Sequence, residues 1–193
     1  MKTHIRTIGI DDSAFQRGKS SKTFVFGVVV RDFSLIEGVL RTDVEIDGLD
    51  ATSKIADMIL QSKFQNQLKA IILGSSTIAA FNVININLLY EKTEIPIINI
   101  LNQLPNDTEV KKALSHLSDW ELRYEILTNN PPIQRIEFEN QIGNKYETNI
   151  QQVGFNKLRE VKNILKITSF SSSIPECLRI ADLIGQSFKT FTM

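Results

Sequence analysis

The run Thr23–Val30, TFVFGVVV, constrains the fold of this chain more than any other segment. It is continuously apolar, rich in β-branched and aromatic side chains, and short, so it reads as a buried strand. Such a strand needs sheet neighbours. Ile5–Ile10 supplies one across the polar turn Gln16–Lys22, and Leu35–Thr42 reads as a hairpin partner across Asp32–Ser34. The period then changes. Over Ala51–Phe64, Ile55, Met58, Ile59 and Phe64 recur near the helical repeat, with Asp50 at the N-cap position.

Lys69–Leu73 and Ile95–Ile100 read as short buried strands, and Ala79–Glu91 between them has a mostly helical pattern. Asn106 or Asp107 caps a further helix carrying Val110, Ala113, Leu114 and Leu117. The order β-β-β-α-β-α-β predicts an antiparallel meander followed by parallel strands, hence a mixed α/β sheet with helices on both faces. Beyond it, Ile133–Phe138 reads as a strand and Asn140–Asn149 as a polar turn. Asn156–Leu165 reads as a helix, and Ser173–Glu176 has the pattern of a capping box opening a last helix with Leu178, Ala181, Leu183, Ile184 and Phe188. With no internal repeat or low-complexity tract, one domain over residues 1–193 is expected.

Composition narrows the function classes. The chain has 193 residues with 42 % hydrophobic and 23 % charged side chains, which argues against disorder, collagen and coiled coil. No stretch approaches the roughly 20 apolar residues of a membrane span. A single cysteine, Cys177, excludes an internal disulfide and a Cys-based zinc site. A cytoplasmic setting without membrane attachment is expected. The net charge of zero is a sum of unequal parts. Lys2, Arg6, Arg17, Lys19, Lys22 and Arg31 face only Asp11 and Asp12 in the first stretch, whereas Asp32, Glu37, Asp43, Glu45, Asp47, Asp50 and Asp57 dominate the next. A basic rim beside an acidic centre suits a phosphate-processing site, in which carboxylates hold a cation and Lys/Arg hold phosphates.

The sharpest local feature is Gly9-Ile-Asp-Asp-Ser13, where the first strand stops. Paired carboxylates there can bind Mg²⁺ or Mn²⁺, since hard cations take oxygen ligands. Strand alternation sends Asp11 and Asp12 to opposite sides, which favours Asp11 as ligand and leaves Asp12 to a supporting or turn role. A second acidic segment, Asp43-Val-Glu-Ile-Asp-Gly-Leu-Asp50, leads from the third strand into the first helix. Asp47 is the better ligand there, because Asp50 also serves as an N-cap; Asp47-Gly48 is itself a common turn pair. His4 and His116 have no ligand spacing, Trp120 reads as core, and Cys177 reads as an inert buried thiol. Phe15 and Phe33 stand beside basic residues where aromatic rings could stack on bases, with core packing the simpler reading.

Several of these blocks together resemble a known family. Ile8–Ser13, Val25–Arg31, Ile36–Asp43, Asp47–Thr52, Ala80–Val83 and Pro175–Ala181 look like the archaeal family filed as domain of unknown function 99, across nearly the whole chain. That family is similar to endonuclease V, whose fold is RNase H-like and whose enzymes use carboxylates and Mg²⁺ to hydrolyse a phosphodiester near deoxyinosine. The resemblance implies Asp11 as the first-strand metal ligand and Asp47 or Asp50 as the source of a second carboxylate. In such a site Arg6, Arg17, Lys19 and Lys22 of the basic stretch would hold the phosphates of DNA or RNA. At the end of the fourth strand, where related sequences read Leu-Asp-Gly, this chain reads Leu73-Gly74-Ser75, and Asn85 stands where a further acid is expected. The reading is therefore a nucleic-acid-binding protein with an incomplete carboxylate site and weak or absent nuclease activity; the alternative is a Mg²⁺- or Mn²⁺-dependent endonuclease acting on damaged or structured nucleic acid.

Overall fold

A computed structural model describes residues 4–16, 18–101 and 103–188. The strands β1 (Arg6–Asp12), β2 (Lys22–Arg31) and β3 (Leu35–Glu45) form the expected antiparallel meander, with Ile10 opposite Gly27 and Gly27 opposite Leu40. There follow α1 (Ala51–Leu60), β4 (Leu68–Leu73), the two-residue strands β5 (Thr77–Ile78) and β6 (Asn82–Val83), α2 (Ile86–Thr93) and β7 (Ile97–Leu101). The second half supplies α3 (Asp107–Leu114), α4 (Trp120–Asn129), β8 (Gln134–Glu139), β9 (Lys145–Val153), α5 (Leu158–Thr168) and α6 (Glu176–Gln186). Seven strands make one sheet in the order β3-β2-β1-β4-β7-β9-β8, in which β1, β4 and β7 run parallel.

The central run of β2 is apolar throughout because both sheet faces are covered. Val25 and Val29 pack with Ile8, Ile10 and Ile71 against Ile55 and Ile59 of α1 and Leu89 of α2. Val28 and Val30 pack with Ala70 and Ile72 on the other face, where Val161 and Leu165 of α5 and Leu178 and Ala181 of α6 close the core. The contact of α6 with β1 is close enough to demand two glycines. A Cβ on Gly9 would lie 2.3 Å from the Cys177 backbone, and one on Gly185 would lie 2.0 Å from the Asp12 carbonyl oxygen. This docking fixes α6 over the end of β1.

Three segments differ from the sequence expectation. Ala79–Glu91 opens with the turn and second strand of the β5–β6 ribbon before α2 begins at Ile86, because buried Asn82 donates to the Glu45 carbonyl and the Asp50 carboxylate and accepts from the Ala51 N–H. The polar stretch from Asn140 contains only a short turn. Asn140 accepts from Ile142 and Asn144 N–H to form that turn, and β9 begins at Lys145. The capping box at Ser173 does not form: Pro175 occupies the N-cap of α6 with no side-chain cap. The helix buries Cys177, Leu178, Ala181 and Gly185, leaving Leu183 and Phe188 about half exposed.

Candidate functional site

β1 and β4 are parallel neighbours, so their carboxyl ends share one edge of the sheet, the usual place for a ligand crevice in α/β folds. A cavity of about 300 Å³ opens there beneath α6. Asp11, Gly74, Ser75, Thr77, Arg179 and Asp182 supply its polar and backbone lining, and Ile10, Leu73 and Leu178 part of its apolar wall. Asp11 Oδ1 accepts the Asp12 N–H at 2.9 Å. Burial pushes the Asp11 carboxyl up to about 7, and the neighbouring charges of Asp12 and Asp182 add to the rise. Asp12 does not line this cavity. Its carboxylate accepts the Ala79 N–H, and burial raises its pKa against that hydrogen bond.

Asp47 and Asp50 are absent from the cavity lining and hold the corner between β3 and α1. Asp47, in the left-handed region at φ 57°, donates its own N–H to Ala79 O and accepts the Phe81 N–H on Oδ1 at 3.0 Å. Asp50 is the N-cap residue of α1, yet its side chain makes no cap; it accepts from Asn82 Nδ2 at 2.7 Å and from Glu45 N–H at 3.2 Å. Arg123 completes this corner, with hydrogen bonds to the carbonyls of Asp47, Gly48 and Phe81 and a bidentate pair with Asp119. It is 4 % exposed and the sole buried residue of α4, a helix whose lack of an apolar stripe hid it from pattern reading.

The basic residues also separate. Arg6 pairs with Glu37, as does Arg31, at the opposite end of β1 and roughly 16 Å along the strand from Asp11. Lys22 pairs with Asp43 at 3.0 Å, at the same end of the sheet as the cavity. Lys19 is exposed in the β1–β2 connection, and Arg17 lies outside the described residues. Cys177 is buried, and burial pushes its thiol up to about 12, which makes it inert. Phe33 stacks on Phe170 at 4.9 Å.

The sequence reading omits Asp182 and Arg179. The available signal was position: Asp182 follows Leu178 by four residues and precedes Gly185 by three, so it borders the buried stripe of α6. Arg179 is held by Glu176 through Nε at 2.8 Å and Nη2 at 2.6 Å.

A second cavity, of about 480 Å³, adjoins the first and shares Ser75 and Thr77 with it. Tyr124, Leu127, Pro131 and Pro132 are among its walls, and Asn130 and Gln151 place buried carboxamides on it. Gln151 is fixed by its neighbours: Oε1 accepts from Ser76 Oγ and Asn99 Nδ2, and Nε2 donates to the Pro131 carbonyl at 2.8 Å. The result is a partly apolar chamber, with Asp107 as its one carboxylate among the described residues, beside a more acidic one.

The donor set of the acidic cavity falls short of a two-metal centre. Among the described residues no three His, Cys, Asp or Glu side chains group as metal ligands. Asp11 and Asp182 are the carboxylates that would hold a single Mg²⁺ or Mn²⁺, which can bind through one or two carboxylates and keep its waters. Position 74 contributes no side chain, and a Cβ there would stand 3.3 Å from Leu178 Cδ2. Asn85 caps α2 by accepting the Leu88 N–H and is not part of the cavity lining.

Residues 3–189 match the family model described as Endonuclease dU. The chain belongs to the endonuclease dU family. A UPF0215 protein of Methanosarcina barkeri is 40 % identical over 185 residues, which cover 96 % of this chain and 91 % of that protein. The crystal structure of a protein of unknown function from Archaeoglobus fulgidus superposes with a TM-score of 0.79 at 33 % identity, covering 94 % of this chain and 96 % of that one. Ciona intestinalis endonuclease V, in complex with a 24mer DNA containing an inosine followed by a ribo-adenosine, gives a TM-score of 0.57 at 14 % identity, over 96 % of this chain and 85 % of that one. The family member described here thus has the RNase H-like fold of endonuclease V. No helix among its described residues is long and apolar enough to cross a membrane.

Proposed function

We propose that this member of the endonuclease dU family binds nucleic acid across the two adjoining cavities, and that metal-dependent hydrolysis there is weak or absent. The observation that carries the reading is the end of β4. Gly74 brings no ligand to the carboxylate cavity, Leu178 packs beside it, and only Asp11 and Asp182 remain as carboxylates. Losing a ligand removes much of the charge that assembles a two-ion site and stabilises both reacting oxygens. An Asp11 carboxyl raised to about 7 also carries less charge at neutral pH than an ordinary aspartate, so it repels a phosphate less. The larger chamber has the size for a flat heteroaromatic ring, with Tyr124 and prolines for contact. A cytoplasmic setting fits a chain with one, buried, free cysteine.

Fluorescence anisotropy with labelled oligonucleotides over a salt series tests the binding. The expected result is an affinity that falls linearly with salt on logarithmic axes, and about ten-fold weaker binding for Tyr124→Ala. No binding to single- or double-stranded DNA or RNA at low salt would overturn the reading. One observation favours a second reading, a hydrolase: Asp11 and Asp182 do meet in one cavity, and the family carries the name of an endonuclease. Deoxyuridine-containing strands are therefore the first substrates to try, with Mg²⁺ and with Mn²⁺.

A further inference from the structure

Under the proposed function, a polyanion enters a cavity whose described charged lining is two carboxylates and one arginine. The basic residues of the first stretch do not help it there. Arg6 is tied to Glu37 at the far end of β1, and Lys22 is tied to Asp43. Arg179 lines the cavity with Asp11 and Asp182 yet pairs with neither; among the described residues its ion pair is with Glu176. Asp182 instead accepts from Gln186 Nε2 on both oxygens, at 2.7 and 2.8 Å. Arg179 is therefore not placed to neutralise the carboxylates that share its cavity.

The pair with Glu176 is uneven. Arg179 donates from Nε at 2.8 Å and from Nη2 at 2.6 Å, both to Oε2, which commits one side of the guanidinium. Its end, formed by Nη1 and the outer hydrogen of Nη2, makes no hydrogen bond among the described residues, and the side chain is 42 % exposed. Glu176 is the opposite case. Its side chain is 8 % exposed, and Oε1 is buried with no partner among the described residues. Leaving a carboxylate oxygen buried and unpaired is costly. This one stands in the first turn of α6, beside Cys177, against whose backbone Gly9 is packed. A buried acid on a tightly packed turn thus grips one side of a half-exposed arginine and fixes the direction of the free end. That end is a planar fork of N–H donors, which matches two oxygens of one phosphate.

We infer that Arg179 is the phosphate-binding residue of the acidic cavity and that Glu176 is its positioning residue. The inference rests on the proposed nucleic-acid binding and adds the group that holds a backbone phosphate of the strand there. A pair serving only the helix would place both partners in solvent, as Asp107 and Lys111 of α3 do, with 63 % and 47 % of their side chains exposed. In α6 the acid is buried and the base reaches the cavity.

The test follows the anisotropy of a labelled single-stranded oligodeoxynucleotide over a salt series with wild type, Arg179→Gln, Arg179→Lys and Glu176→Gln, each first verified as folded by circular dichroism. Arg179→Gln is expected to weaken binding about ten-fold at low salt and to lower the salt slope by about one. Arg179→Lys is expected to keep the slope and bind about three-fold more weakly, because an ammonium has no second fixed edge for the phosphate. Glu176→Gln separates positioning from charge. It raises the net charge by one, so charge alone would tighten binding, whereas loss of positioning is expected to weaken it about three-fold with the slope unchanged. Wild type that binds no oligonucleotide overturns the nucleic-acid reading itself. Wild type that binds, with Arg179→Gln equal to it in affinity and slope, overturns the phosphate contact and leaves the cavity reading standing. Glu176→Gln that binds as tightly as wild type, or more tightly, overturns the positioning role. Should Arg179→Gln not fold, Arg179→Lys decides, and wild-type affinity in that variant overturns the contact.

Discussion

Two acidic regions lie within a few strands of each other and use their carboxylates differently. At the end of β1, Asp11 accepts a single N–H, from its own neighbour, and faces a cavity. At the corner between β3 and α1, Asp47 accepts the Phe81 N–H, and Asp50 binds Asn82 and the Glu45 N–H. The first carboxyl is pushed up to about 7 by burial among like charges. The second pair holds backbone in place, at a turn where Asp47, Ala79 and Ala80 all take positive φ. Carboxylates dense in sequence are thus not a cluster in space. Hydrogen bonds to N–H groups offset the burial of Asp47 and Asp50 and commit them to structure, whereas the burial of Asp11 is only weakly offset and its chemistry stays available.

The comparison breaks most visibly at Arg123. Arg123→Met should destabilise the fold by about 3–5 kcal/mol, because it leaves the Asp119 carboxylate and three carbonyls without their partner; urea denaturation reads this directly. Survival of the corner with a loss below about 1 kcal/mol would show that Arg123 is not its anchor. Gly185→Ala should cost about 1–3 kcal/mol by forcing α6 off the Asp12 carbonyl, and it should weaken nucleic-acid binding as Asp182 moves from Asp11. Asp50→Ala should cost about 1–3 kcal/mol through the unpaired Asn82 and Glu45 donors while leaving nucleic-acid binding within about two-fold of wild type.

A pH-dependent effect belongs to Asp11. The folded chain keeps the Asp11 proton up to about pH 7, whereas the unfolded chain releases it in the ordinary carboxylate range, so the folded state binds more protons between the two. Stability should therefore fall as pH rises through that window. Asp11→Asn should flatten this slope in melting curves taken from pH 4 to pH 8; an unchanged slope would assign it to other groups.

Much of the fold is legible in the residues. Thr23–Val30 announces a strand with both faces covered, and the change of period at Ala51 announces the crossover helix. What escapes pattern reading is decided by tertiary polar contacts. The β5–β6 ribbon exists because Asn82 bridges Glu45, Asp50 and Ala51, partners more than thirty residues away. α4 is positioned by a buried arginine rather than an apolar stripe. At the site, Asp11 stands out as a charged residue ending an apolar strand. Asp182 stays hidden, because a polar residue at the border of a helix's buried stripe looks like ordinary amphipathicity until Gly9 and Gly185 are seen to press the helix onto β1.

Cleavage tests the central claim most directly. A deoxyuridine-containing strand is incubated with excess protein and Mg²⁺ or Mn²⁺ under single-turnover conditions, with wild type and Asp11→Asn run side by side and binding measured on the same strand. The account predicts that wild type binds the strand and yields no more product than Asp11→Asn. Cleavage by wild type that Asp11→Asn abolishes would contradict it and establish that two carboxylates suffice for hydrolysis at this site.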